Sequence, residues 1–76
     1  MESSDILVTI IPGEEEGIEI ELNSSVEKQF GRQIRAVIRQ ALEDAGVESA
    51  LVQAVDKGAL DCTIRARVKT AIERAS

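Results

Sequence analysis

The sequence predicts an α+β domain: a small two-layer ββαβα unit in which two helices cover a three-stranded sheet. Three observations predict it. Residues 6–11 and 50–55 are short apolar runs rich in β-branched side chains, and residues 17–22 alternate apolar with acidic, which are strand patterns. Residues 26–45 and 64–75 carry apolar residues at helical spacing. Turn residues, Pro12-Gly13, Asn23-Ser24-Ser25, Gly46 and Gly58, separate the elements.

Ile6 to Ile11 is apolar on both faces, which suits a central strand covered on two sides. Pro12 cannot donate to a ladder, so the strand ends there. Glu14, Glu15 and Glu16 form a solvated loop tip. Adjacent carboxylates in a loop lack the convergent geometry of a metal site. From Gly17 to Leu22, Ile18, Ile20 and Leu22 share one face and Glu19 and Glu21 the other, as in a half-buried edge strand. The short loop makes the first two strands a hairpin.

Ser24 and Glu27 have capping-box spacing and open the first helix. Its apolar stripe is Val26, Phe30, Ile34, Val37, Ile38, Ala41, Leu42 and Ala45, and Gly46 fits the left-handed position that stops it. Gly31 costs about 1 kcal/mol against alanine and suggests a close approach by a neighbouring backbone. Lys28, Arg32, Arg35 and Arg39 line one flank. The favoured reading is a solvated face paired with nearby carboxylates; the sharper one is a cationic patch for a phosphate-bearing arm or an acidic partner. Arg65, Arg67, Lys69 and Arg74 carry the same two readings.

Residues 50–55 form the third strand. Asp56-Lys57-Gly58 turns the chain, Gly58 taking a positive φ. Ile64, Val68, Ala71, Ile72 and Ala75 then make the inner face of the last helix. Cys62 is expected to be a small buried hydrophobe. With the most apolar strand in the middle, and a right-handed crossover through the first helix, the sheet is expected to be antiparallel in the order 2-1-3. Whether a partner covers its second face stays open.

Composition narrows the function. The chain has 76 residues, room for one domain spanning 1–76 with a loose segment at 1–4. Such a chain buries only about 60% of its unfolded surface. One Phe and no Trp or Tyr make the core aliphatic. The net charge of −5, without aromatic stacking platforms, argues against nucleic acid. An acidic surface suits docking onto basic partner proteins. No apolar run approaches a membrane span, and no signal peptide is visible. A single Cys excludes an internal disulfide and fits a cytoplasmic location. With no His there is no activated Ser or Cys nucleophile and no zinc set, and there is no glycine-rich phosphate loop. A free-standing enzyme is disfavoured.

Three segments together resemble the acyl carrier subunit (gamma chain) of citrate lyase: Glu2-Ser3-Ser4-Asp5, Ser24-Ser25-Val26-Glu27-Lys28-Gln29-Phe30-Gly31, and Asp56-Lys57-Gly58-Ala59-Leu60-Asp61-Cys62 with Ile64-Arg65-Ala66-Arg67. The second and third are long and specific. The carrier subunit of malonate decarboxylase is similar in layout. The resemblance implies a covalent carrier without chemistry of its own. Its prosthetic group would be phosphoribosyl-dephospho-coenzyme A, joined by a phosphodiester to the serine directly after the glutamate of the E-S-S/G-D motif, here Ser3. The group's thiol would hold acetyl, then citryl. A transferase (alpha) subunit would exchange acetyl for citryl and release acetate; a lyase (beta) subunit would cleave citryl to oxaloacetate. A prosthetic-group transferase would load the arm. Against the family pattern, Met1 stands almost directly before the motif and a C-terminal tail is missing. The four-helix pattern and D-S-L motif of ordinary acyl carrier proteins are absent. Two other classes remain: a cofactor-free interaction module, and a small enzyme using Cys62, which requires an accessible, reactive thiol.

Overall fold

The computed structural model describes residues 4–13 and 16–75. The elements run β1 (Ile6–Pro12), β2 (Gly17–Ser24), α1 (Glu27–Asp44), β3 (Ser49–Asp56) and α2 (Asp61–Ala75), in the expected ββαβα order. Glu14 and Glu15 lie outside the described residues.

The sheet has three strands, as expected, but not the expected order. It reads β1-β3-β2 rather than 2-1-3, and it is mixed rather than wholly antiparallel. β3 lies antiparallel to β1 (Ile6 opposite Asp56, Pro12 opposite Ala50) and parallel to β2 (Gly17 opposite Ser49, Ser24 opposite Asp56). β1 and β2 therefore do not form a hairpin; β3 is inserted between them. Two physical reasons stand out. Pro12 is paired within β1 and has no N–H, so β1 cannot serve ladders on both sides along its whole length and belongs at an edge. β3 contains neither Pro nor Gly and alternates Ala50, Val52 and Ala54 inward, all buried. A strand–helix–strand connection returns the chain in its original direction, so seating β3 beside β2 makes that pair parallel.

α2 lies over β1 and α1 over β2, both on the same face of the sheet. The core between is aliphatic: Ile6 from β1, Ala50, Val52 and Ala54 from β3, Ile34, Val37, Ile38 and Leu42 from α1, and Ile64 and Val68 from α2. Ile18, Ile20 and Leu22 pack against it from β2, while Glu19 and Glu21 face out as expected. The opposite face of the sheet is open in the described chain. There Leu7 pairs with Val55 and Ile11 with Leu51 across the β1–β3 ladder, and Leu7 is 58% exposed.

Helix ends follow local chemistry at one terminus and not the other. Gly46 (φ +79°) closes α1. Val47 N–H reaches the Leu42 carbonyl at 2.9 Å and Gly46 N–H the Glu43 carbonyl at 3.0 Å, the paired bonds of a Schellman end. The expected Ser24–Glu27 capping box does not form. Val26 occupies the cap position without a side-chain bond, because the Ser24 hydroxyl is engaged with Asp56 (below) and Glu27 pairs with Arg35 two turns on, at 3.7 Å. That pair also explains Gly31. A Cβ there would meet Glu27 Cγ at 2.8 Å and Arg35 Nη1 at 3.3 Å, so its close neighbours are side chains of its own helix rather than another backbone.

Candidate functional site

The described parts of the three segments behind the family resemblance, far apart in sequence, meet at one end of the sheet. Both helices begin there, and so does β1.

Asp56, the last residue of β3, joins two of them. It is 1% exposed, and its carboxylate accepts three hydrogen bonds: from Ser24 Oγ at 2.7 Å and from the backbone N–H groups of Gly58 and Ala59, each at 3.0 Å. Its carbonyl accepts from Ser25 N–H at 3.1 Å. Ser24 Oγ in turn accepts from Val26 N–H at 3.1 Å. One carboxylate thus fixes the β3–α2 turn and the β2–α1 turn together. The turn chemistry is the expected one, with Gly58 at φ +79°. The burial of Asp56, and its reach to Ser24, could not be read from spacing.

Ser4 and Asp5 attach the third segment. Ser4 N–H donates to the Lys57 carbonyl at 2.7 Å, and Lys57 N–H to the Asp5 carbonyl at 2.8 Å, which extends the β1–β3 pairing past the strand ends. Ser4 has φ +62°, in the left-handed region, which glycine enters without the Cβ penalty. The Asp5 carboxylate accepts from Ile6 N–H at 2.7 Å and from Arg67 through Nε at 3.1 Å and Nη2 at 3.2 Å. The Ile6 amide first, and then the guanidinium, hold this carboxyl below the usual carboxylate range. Arg67, one of the cations read as surface charge, is therefore the clamp that ties α2 to the start of β1.

Beside this junction lies an apolar cleft of ≈ 420 Å³ between the first turns of the helices. Val26, Phe30, Ile34, Ala59 and Leu60 line it, with Gly58 at one wall. Phe30 and Leu60 are 47% and 67% exposed. Phe30 was expected in the buried stripe of α1; it lies at the margin of that stripe, over the cleft. On the rim, Gln33 Nε2 donates to both Asp61 carboxylate oxygens at 3.1 and 3.3 Å.

Ser3, the expected attachment residue, lies outside the described residues; its neighbour Ser4 is exposed. Cys62 is exposed, not buried as expected. The buried residues of α2 are Ile64, Val68 and Ala71, and a residue two positions before Ile64 points about 200° away from it. Lys28, Arg32, Arg35 and Arg39 are exposed along α1, Arg35 paired with Glu27 and Arg39 Nη2 donating to the Ile18 carbonyl at 3.3 Å. Half of the stripe is thus engaged locally. Among the described residues there is no cluster of metal-binding side chains, and no helix is long and apolar enough to cross a membrane. Among the described residues the arrangement offers a stitched chain end beside an apolar cleft.

Comparison with known proteins matches residues 1–75 to the family described as ACP, malonate decarboxylase delta subunit. The citrate lyase acyl carrier protein of Streptococcus mutans is 60% identical over 76 residues, covering 100% of this chain and 74% of that protein. Those of Streptococcus equi subsp. zooepidemicus and Streptococcus pyogenes serotype M5 are 59% and 55% identical over the same shares. No solved structure matches significantly.

Proposed function

Because the chain belongs to the citrate lyase acyl carrier protein family, whose members carry rather than catalyse, we propose that it is the carrier subunit of a cytoplasmic citrate lyase, loaded at Ser3 with phosphoribosyl-dephospho-coenzyme A through a phosphodiester. When bound, this group supplies a thiol that holds acetyl and then citryl as thioesters during cleavage of citrate to acetate and oxaloacetate. The partners are the transferase (alpha) and lyase (beta) subunits, and the enzyme that attaches the group.

The observation that carries this reading is the convergence at the sheet end. The residues here fit an attached group: Ser4 is exposed, and its N–H is bonded to the turn after β3. The backbone next to Ser3 is thus held by Lys57, Asp5 and Arg67, while Asp56 holds the turn. A compact body with one tethered group needs no base or metal. Tethering replaces free diffusion with a high local concentration of the acyl group at each partner's active site.

Intact mass tests the attachment. Co-expressed with its prosthetic-group transferase, the chain gains one group; Ser3→Ala abolishes the gain and Ser4→Ala keeps it. An undiminished gain in Ser3→Ala overturns the assignment. The description of the matched family favours one second reading, a carrier for malonate decarboxylase. Reconstitution with each set of partner subunits separates the two, and the carrier for citrate lyase restores citrate cleavage only. A chain that gains no mass yet still binds its partners is instead a cofactor-free interaction module.

A further inference from the structure

We propose that the cleft between the first turns of α1 and α2 shelters the pantetheine portion of the arm while the carrier is away from its partners. This rests on the attachment proposed above.

Three features of the chain lead to this occupant. The first is position. The described chain begins at Ser4, whose N–H is bonded to the Lys57 carbonyl, and the residue after Lys57 is Gly58, a wall of the cleft. An arm joined to the residue before Ser4 is therefore tethered within reach of the cleft. The second is chemical match. Pantetheine is an uncharged chain of methylenes, a geminal dimethyl group and two amides. Val26, Phe30, Ile34 and Leu60 supply apolar walls, and the Gln33 amide and Asp61 carboxylate on the rim supply partners for the amides. The third is charge. Asp61 at the rim repels phosphate, so the nucleotide end of the arm stays outside and the neutral end lies within. Phe30 is the chain's single aromatic residue, and it stands 47% exposed here instead of filling the core.

The test uses the full chain in a Cys62→Ser background, so that the arm carries the one thiol, loaded by its transferase and deacetylated. Loading is read first by intact mass. Methyl and aromatic NMR spectra are then compared with those of the unloaded chain, and the rate of thiol alkylation is compared with that of Leu60→Asp. Leu60 is 67% exposed, so the variant keeps its fold, checked by circular dichroism. Leu60→Gln serves in its place if the added charge impairs loading.

The expected result is a set of shifts at Val26, Ile34, Leu60 and Phe30 on loading. Alkylation should be on the order of fivefold slower in the parent than in the variant, the factor that ~1 kcal/mol of sheltered apolar contact supplies. A loaded chain whose shifts stay around Lys57, with equal alkylation rates, overturns the sheltering and leaves the attachment standing. Cleft shifts that depend on protein concentration assign the cleft to a second copy. Shifts that arise only with a transferase or lyase subunit assign it to docking; either result overturns the proposal. A chain that never gains mass overturns the attachment, and the sheltering with it.

Discussion

Replacing Asp56 with alanine removes the acceptor on which two turns depend. The carboxylate takes three hydrogen bonds, from Ser24 Oγ, Gly58 N–H and Ala59 N–H. Bonds to a charged group contribute about 1.5–3 kcal/mol each, and a fully buried partner left unpaired costs as much again. Here the three donors belong to half-buried residues, so water replaces part of each bond. A figure of about 1 kcal/mol per bond is then appropriate, or ~3 kcal/mol for Asp56→Ala. A domain of this size has roughly 4–11 kcal/mol to lose. The midpoint of thermal unfolding should fall by on the order of 15 °C. Asp56→Asn keeps one carbonyl acceptor, and its loss should be about half as large. Without Trp or Tyr, urea unfolding is followed by far-ultraviolet circular dichroism. The exposed pair-free control Glu19→Ala should stay within ~0.5 kcal/mol of the parent. A loss below about 1 kcal/mol for Asp56→Ala would refute the idea that this carboxylate fastens the turns.

Three further outcomes follow from the same end of the sheet and from the end of α1. Asp5 has its folded pKa held low by the Ile6 amide and by Arg67. Its stabilising contribution is therefore complete above the ordinary Asp range and disappears as pH falls through the folded value. Arg67→Ala should flatten the acid limb of the stability–pH curve and raise the Asp5 carboxyl titration seen by NMR; an unchanged titration would dismiss the clamp. Ser4→Gly relieves a left-handed Cβ penalty of about 1–2 kcal/mol but adds backbone freedom to the unfolded chain, so its thermal midpoint should hold or rise slightly. Ser4→Val should lower it, and equal midpoints for the two would argue against the φ seen here. Gly46→Ala places a Cβ at φ +79° and should cost ~1–2 kcal/mol in urea unfolding, where Gly31→Ala stays near neutral. Equal losses at the two glycines would contradict this account of them.

The candidate site was visible in the sequence only as three separate motifs. Ser3, Asp56 and Gly58 were singled out by motif and turn chemistry, which act over a few residues. Arg67 reads from sequence as one surface cation among several, because nothing in its neighbourhood says that Asp5, distant in sequence, lies opposite. Phe30 reads as buried because it lies at the edge of the apolar arc of α1, and Cys62 because a lone free cysteine is usually a small buried hydrophobe, although it lies on the far side of α2 from Ile64. A residue near the margin of that arc is resolved only by what packs beside it, and at this end of the helices there is a cleft instead of a neighbour.

Sequence alone determined the succession of strands and helices, the aliphatic core and the stops at Gly46 and Gly58, since periodicity and backbone freedom are properties of neighbouring residues. Only the tertiary structure decided which strand is central. The apolar pattern favours β1 in the middle and the missing N–H of Pro12 disfavours it; packing settles the choice on β3, whose small inward residues lie beneath two helices and whose backbone is a complete ladder on both sides. The same placement brings Asp56 to Ser24 and Lys57 to Ser4, and so assembles one end of the sheet from segments that are strangers in the chain.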